Sequence, residues 1–226
     1  SWRRVGPILP AVKVYNLRQV DELIIVDITA TMENREPDYN EIANFSRECF
    51  VPLTVGGGIR DIEHVKKILR AGADKVCLNS SIFRNPDLIR QIADKFGSQC
   101  VVVSLDARKN KGKYECYSES GTKKTGVEPQ MMAKKAEKLG AGEILITSVD
   151  LDGTMKGYDL ELVKNVSKAV HIPVIASGGA GKYEDMWKAI KSGANALAAA
   201  SIFHYTEQTP LEAKQFLAGK GIPVRI

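Results

Sequence analysis

The chain has 226 residues, of which 44% are hydrophobic and 26% are charged, and its formal net charge is +5. This length and composition are ordinary for a globular α/β chain, and we expect one domain over residues 1–226. The basic residues are scattered along predicted helices, which argues against nucleic-acid binding. No apolar run approaches the roughly 20 residues that span a bilayer, and no signal-peptide pattern opens the chain, so we expect a cytoplasmic protein.

Short apolar runs alternate with longer amphipathic segments, which is the pattern of parallel strands joined by helices. The predicted helices are Pro10–Leu17, Tyr39–Cys49, Ile62–Ala71, Pro86–Phe96, Pro129–Leu139, Leu160–Val170, Tyr183–Ser192 and Pro210–Ala218. The predicted strands are Leu23–Ile28, Pro52–Val55, Lys75–Asn79, Cys100–Leu105, Glu143–Ser148, Val174–Ser177 and Ala196–Ala200. A (β/α)8 TIM-type barrel begins with a strand and has eight. We therefore predict such a barrel with its first strand missing from the chain as given.

Residues 108–126, RKNKGKYECYSESGTKKTG, form an insertion after the fourth predicted strand. The alternation in KYECYS and the Ser120-Gly121 dipeptide predict a β-hairpin that turns at those two residues. We expect this hairpin to lie on the rim of the barrel.

The chain carries nearly the same pattern twice, which indicates two half-barrels. The matching segments are 23–31, 52–61 and 71–83 in the first half, and 144–154, 173–182 and 192–203 in the second. Each half has a Gly-Gly loop, where backbone N–H groups can approach an anion and the next helix N-terminus favours negative charge. Each loop is followed one strand later by a serine, Ser80 or Ser201. The pattern predicts two phosphate sites that face each other; mere tight turns are the alternative.

Asp106 ends the apolar run VVVSLD abruptly in a carboxylate. Active sites of such barrels lie at the carboxyl ends of the strands, so Asp106 is predicted to be a general acid or base. A helix cap, or a rim ion pair with Arg108 or Lys109, is the alternative. Asp27 ends its own strand similarly. Asp152 lies in DLDGT, where a turn and a substrate contact are both consistent interpretations.

The four cysteines and three histidines show no spacing typical of a metal site. We expect neither a metal nor a cofactor.

Several motifs together resemble the cyclase subunit of imidazole glycerol phosphate synthase. They are SVDLDGTMKGYDLELV, PVIASGGAGK, VPLTVGGGIRD, AGADKVCLNSS and FGSQCVVVSLDARK with the YSESGTKKTG hairpin. The resemblance covers the chain from about Leu9 onward. It implies an enzyme that takes ammonia from a glutaminase subunit docked at the bottom of the barrel. The ammonia closes an imidazole ring on a bis-phosphorylated ribulosyl nucleotide and releases a carboxamide ribonucleotide, in histidine biosynthesis.

The resemblance also implies roles for particular residues. Asp106 matches the catalytic carboxylate, and Thr147 and Ser120 match positions that contact substrate. One phosphate site is matched by Gly57, Gly58, Asn79 and Ser80. The other is matched by Asp152, Gly153, Gly179, Ala200 and Ser201. Three residues at strand starts match part of a charged ring that gates ammonia: Glu22, Lys75 and Glu143. From the sequence alone these three would be interpreted as surface charges.

The chain also departs from the family pattern, because a second catalytic aspartate on the first strand and its lysine-bearing loop have no counterpart here. The opening SWRRVGPILPAVKVYN, with ENREPDY and ECFVPLT, looks more like paralogues found with surface-polysaccharide genes, which are thought to relay ammonia to a sugar. A non-catalytic scaffold for a glutaminase is a further alternative. An unrelated phosphosugar isomerase or aldolase is disfavoured, since no strand end carries a lysine for a Schiff base.

Overall fold

The computed structural model describes residues 6–225. Its strands form one sheet in the order β1-β2-β3-β4-β7-β8-β9, with every neighbouring pair on this path parallel. Strand β5 pairs antiparallel with β4, and β6 pairs antiparallel with β5. The sheet curls and its strands alternate with helices, which confirms the predicted TIM-type α/β architecture.

The element bounds differ from the predicted ones mainly at their ends. The strands are β1 Leu23–Val26, β2 Leu53–Gly56, β3 Lys75–Leu78, β4 Val101–Asn110, β5 Lys113–Ser118, β6 Lys123–Lys124, β7 Glu143–Ser148, β8 Val174–Ser177 and β9 Ala196–Ala198. The helices are α1 Ile8–Leu17, α2 Tyr39–Ser46, α3 Ile62–Arg70, α4 Ser80–Arg84, α5 Asp87–Phe96, α6 Pro129–Lys138, α7 Leu160–Ser167, α8 Tyr183–Lys191, α9 Ser201–Tyr205 and α10 Pro210–Gly219. A 3₁₀ turn covers Ser98–Cys100.

Two layers of apolar side chains hold the sheet. The larger layer lies between the sheet and its helices and includes fully buried residues such as Ile68, Ile92 and Ile144. Burying one such side chain stabilises the fold by about 1.5–3 kcal/mol. A smaller cluster of Cys77, Val102, Leu145 and Ile175 comes from four neighbouring strands. Because alternate strand residues point to opposite faces, this second cluster lines the inside of the curl.

Of the residues that the sequence favours as helix caps, one forms its cap and another does not. Asp61 caps α3, accepting hydrogen bonds from the backbone N–H groups of Glu63 and His64. The run RNPDL, in which Pro86 follows Asn85, predicts Asn85 as the cap of the next helix. This prediction is wrong, because α5 begins at Asp87 and no side chain caps it. Asn85 instead ends the short helix α4, which the sequence did not predict.

The rim insertion is a three-stranded antiparallel extension rather than a single hairpin. Strand β4 continues past Asp106 to Asn110, and the first turn lies at Lys111-Gly112, both with positive φ. The predicted Ser120-Gly121 turn exists, but it joins β5 to β6. Glu119, Ser120 and Gly121 there all have positive φ.

Strands β1 and β9 are the two ends of the parallel path within the described part of the chain. The seven parallel strands of that path equal the predicted number; an eighth, preceding strand stays a prediction. Residues 1–5, which contain part of the unusual opening segment, lie outside the described residues. Between residues 6 and 225, no helix combines the length and apolar character needed to cross a membrane.

Candidate active site

One cavity of about 1470 Å³ collects the residues predicted at the carboxyl ends of the strands, an end we call the mouth. Its lining includes every predicted mouth residue: Gly57, Gly58, Asn79, Ser80, Asp106, Ser120, Thr147, Asp152, Gly153, Gly179, Ala200 and Ser201. The cavity also reaches Glu22 and Glu143 at the opposite, amino ends of the strands. A single space therefore connects the mouth with the far end of the barrel.

Asp106 lies in the middle of β4, opposite Thr147 of β7 on one side and Tyr117 of β5 on the other. Burial and the charge of Asp152 raise its pKa from 3.8 to about 6, against the lowering effect of the Asn79 amide. Both alternatives for Asp106 are wrong in the described residues. β4 continues through it, so it caps no helix. Arg108 pairs instead with Asp150 in the loop after β7, and Lys109 pairs with Glu161 in the first turn of α7.

The two glycine loops have matching backbone conformations. Each loop has two successive glycines of positive φ: Gly57 and Gly58 at +102° and +69°, and Gly178 and Gly179 at +86° and +106°. A Cβ at Gly57 would lie 2.3 Å from the carbonyl oxygen of Asp27, and one at Gly179 would lie 2.1 Å from that of Gly157. Only glycine fits these backbone-to-backbone approaches. The loops are thus built alike in both halves, as the doubled sequence predicts.

A serine at the start of a short helix accompanies each glycine loop. Ser80 begins α4 and Ser201 begins α9. The Ser80 hydroxyl accepts a hydrogen bond from the backbone N–H of Glu119, at 2.9 Å. The buried amide nitrogen of Asn79 has no hydrogen-bond partner among the described residues. The Asn79 amide also lowers the pKa of Asp106, so it lies close to that carboxylate.

Asp152 stands beside the second glycine loop. It is five positions after Thr147, in the loop that follows β7. A Cβ added at Gly178 would lie 3.3 Å from the Cβ of Asp152, so the two loops are in close contact. Its side chain is open to the cavity. Partial burial nevertheless raises the pKa of Asp152, and the hydrogen bond from the backbone N–H of Gly153 offsets only part of this increase. The structure therefore places a second acid, Asp152, close enough for its charge to raise the pKa of Asp106.

The β5–β6 turn closes one side of the mouth. The Ser120 hydroxyl donates to the carbonyl oxygen of Ile28 at 2.6 Å, and Glu119 forms an ion pair with Arg84 at 2.8 Å. The turn thereby ties the loop after β1 to helix α4. Glu119, Arg84 and Ile28 were not predicted as site residues, because contacts between residues so far apart leave no local pattern in the sequence.

A second unpredicted contact fixes Asp27. Its carboxylate accepts hydrogen bonds from Thr29 and the backbone N–H of Ala30, and forms an ion pair with Arg35 at 3.0 Å. Burial alone would raise the pKa of Asp27, but these hydrogen bonds outweigh it and lower the pKa below 3.8. Asp27 is therefore held as an ionised, structural carboxylate.

The three predicted gate residues do come together at the amino ends of the strands. The Lys75 ammonium lies 2.8 Å from Glu22 and 2.7 Å from Glu143. Burial alone lowers the pKa of Lys75, but the two carboxylates more than compensate and raise it above 10.5. Lys75 is therefore a fixed positive charge between two acids, and the interpretation as separate surface charges is wrong.

Comparison with known proteins assigns the family. The model of the histidine biosynthesis protein family matches residues 3–209. Imidazole glycerol phosphate synthase subunit HisF of Endomicrobium trichonymphae is 50% identical over the whole chain, which spans 87% of that relative. The protein of the same name from Dehalococcoides mccartyi strain BAV1 is 49% identical over 94% of the chain and 84% of the relative. The chain therefore belongs to the histidine biosynthesis family, among the cyclase subunits of imidazole glycerol phosphate synthase.

Proposed function

We propose that the mouth binds a substrate carrying a phosphate at each end, with Asp106 as the catalytic carboxylate between the two phosphate sites. The observation that carries this proposal is the position of Asp106. It is an acid near the end of the part of β4 that pairs with β7, its pKa is raised to about 6, and it shares one cavity with the two glycine loops. A group with that pKa can both give and take a proton near neutral pH. This supports acid–base chemistry during attack of ammonia and closure of the imidazole ring.

The anion-binding part of the proposal has a direct test. Crystals soaked in inorganic phosphate should show one anion at the loop of Gly57 and Gly58 and one at the loop of Gly179. We expect Ser80→Asp and Ser201→Asp each to lose one anion, because an added carboxylate repels it. Asn40→Asp, an exposed change in the first turn of α2, is the matched control and should keep both. Empty loops in the unaltered protein, with phosphate elsewhere, would contradict the proposal.

The ammonia is supplied, in this proposal, by a glutaminase subunit docked at the amino-end face of the barrel. The relatives are named as subunits of a synthase, which supports an assembly with another chain. The cavity that reaches from the mouth to Glu22 and Glu143 supports passage of a small neutral molecule along the barrel. The Lys75 ion pairs lie at its amino end, where they would control entry. A cytoplasmic location stays part of the same proposal.

Lys75→Ala is expected to separate ammonia delivery from chemistry. Lys75 lies at the opposite end of the strands from Asp106, so product formation from added ammonium should stay within about threefold. Product formation from glutamine and the glutaminase should fall by about tenfold or more, the size of a typical coupling between sites. Lys66→Ala, a partly exposed lysine on α3, controls for removal of a positive charge. Equal losses with both nitrogen sources would reject the gate role.

A further inference from the structure

The net positive charge of the chain is concentrated in the rim insertion. Residues 108–126 contain six bases and two acids, so they carry a net charge of +4 out of the +5 of the whole chain. The six bases are Arg108, Lys109, Lys111, Lys113, Lys123 and Lys124. Charge of one sign that is gathered beside a cleft attracts oppositely charged molecules to that cleft. The insertion therefore has the charge to act on what enters the mouth.

The mouth itself offers an anion little attraction before it reaches the glycine loops. The cavity lining there includes Asp106 and Asp152, and neither forms an ion pair within residues 6–225. Carboxylates repel phosphate groups, so a doubly phosphorylated molecule that approaches them needs cations to offset the repulsion. Arg108 is the base that the insertion adds to this lining.

The strand register shows which lysines of the insertion share a face with Asp106. Asp106 of β4 lies opposite Tyr117 of β5, which in turn lies opposite Lys124 of β6. Side chains at directly paired positions project from the same face of a sheet, so Lys124 lies on the face of Asp106. Lys113 lies opposite Asn110, an even number of positions after Asp106 on β4, so it lies on that face as well.

This face of the insertion is directed toward the mouth. Tyr114 and Cys116 alternate with the residues of this face and are buried in the layer between the sheet and the helices. Arg108, two positions after Asp106, lines the cavity instead. Its guanidinium carbon lies 5.2 Å from the centroid of the Tyr117 ring, which confirms that these two side chains share a face. We call the face that carries Asp106 and Arg108 the mouth face.

The bases of the insertion outnumber its acids on the mouth face. Arg108, Lys113 and Lys124 are the bases, and Glu115, which lies opposite Arg108, is the acid. Lys113 and Lys124 are exposed, and neither takes part in an ion pair in the described part of the chain. The two lysines on the opposite face of the strands, by contrast, both pair with glutamates. The unpaired positive charges of these strands thus lie on the side that an entering molecule passes.

We propose that Lys113 and Lys124, together with Arg108, form an anion-capture surface that draws the bis-phosphorylated substrate into the mouth. This inference rests on the proposed function of the same cavity. The spacing of residues and strands in a sheet places the Cα atoms of both lysines within about 15 Å of that of Asp106. At that distance they attract the phosphates before contact, because the screening length is about 10 Å at 0.1 M ionic strength. Charges at a rim act mainly on the association rate and its salt dependence.

Lys113→Gln combined with Lys124→Gln tests the proposal through the salt dependence of kcat/KM. The assay supplies added ammonium and the bis-phosphorylated nucleotide. At 0.01 M ionic strength, kcat/KM should be about tenfold below that of the unaltered protein. At 1 M it should be within about twofold, because the screening length falls from about 30 Å to about 3 Å. We expect kcat to change by less than about twofold, since the lysines act before the chemical step.

Two further double variants serve as controls. Lys168→Gln with Lys191→Gln removes two exposed lysines at the carboxyl ends of α7 and α8, at the other end of the barrel from the mouth. This pair should lower kcat/KM by less than about twofold at either ionic strength. Lys113→Arg with Lys124→Arg keeps both charges and should keep the unaltered kcat/KM.

The outcomes separate the capture role from the proposed function. If the Lys113 and Lys124 glutamine variant matched the control pair at 0.01 M ionic strength, the capture role would be rejected. A loss of the same size at 0.01 M and at 1 M would reject it too, because attraction between separated charges must weaken as salt is added. Failure of the proposed function looks different: the unaltered protein itself would then form no product from ammonium and the nucleotide at any ionic strength.

Discussion

Asp106→Asn is expected to lower the rate of product formation by about 10² to 10⁴, while making the folded protein more stable at neutral pH. The loss follows because, in the proposed function, Asp106 is the group that exchanges protons with the substrate. Because asparagine has nearly the same shape and can still contact Asn79, substrate binding should be largely kept. The measurement is kcat and KM with added ammonium, which bypasses any glutaminase partner.

The gain in stability follows from the raised pKa of Asp106. A carboxyl group whose pKa rises from 3.8 unfolded to about 6 folded opposes folding once it is ionised. The penalty is absent below about pH 4, grows as pH rises from about 4 to about 6, and then levels off at roughly 3 kcal/mol. Chemical denaturation at pH 5 and pH 8 should show the variant gaining more at pH 8. An equal gain at both pH values would contradict the raised pKa, and near-full activity would contradict the acid–base role.

Gly179→Ala is expected to damage both the fold and the activity. Its φ of +106° disfavours any side chain, and the new Cβ would lie 2.1 Å from the backbone oxygen of Gly157. The strained conformation alone costs about 1–3 kcal/mol, and the clash adds to it. The Gly157 N–H donates to the Gly179 carbonyl, so relief of the clash must move both loops of the second proposed phosphate site. A displacement of about 1 Å at such a site can reduce the rate 10²-fold.

Gly219→Ala is the matched control for this loss. It lies at the end of α10, with no heavy atom within 4 Å of a Cβ placed there. Alanine should be neutral or slightly stabilising at that position. Thermal unfolding and ammonium-dependent kcat would be measured for both variants. If Gly179→Ala were as stable and active as Gly219→Ala, the second loop could not be built as described.

The barrel and much of its mouth could be predicted because their signals are local. Buried parallel strands give apolar runs, and the run that ends at Asp106 marks where the parallel part of β4 reaches the mouth, the end at which such barrels place chemistry. The repeated Gly-Gly pairs in the sequence predict Gly57 and Gly179 as members of two anion-binding loops. The short helices at Ser80 and Ser201 were missed because five residues are too few to show a helical period.

The contacts that complete the site could not be predicted, since they join residues distant in sequence. The Ser120 hydrogen bond to Ile28 spans 92 positions, and the Lys75 pair with Glu143 spans 68. Nothing in the local pattern around Lys75 distinguishes it from other helix and strand lysines; only the family resemblance singled it out. The Arg35 contact with Asp27 likewise appears only when the loop after β1 is folded.

The central claim is that chemistry occurs at Asp106 while ammonia enters at the Lys75 end. The measurement that tests it most directly is product formation by Asp106→Asn and Lys75→Ala, each supplied with added ammonium and, separately, with glutamine and the glutaminase. The account predicts that Asp106→Asn is inactive with both nitrogen sources, and that Lys75→Ala is nearly as active as the unaltered protein with ammonium but not with glutamine. An Asp106→Asn variant that forms product from ammonium at nearly the normal rate would contradict it.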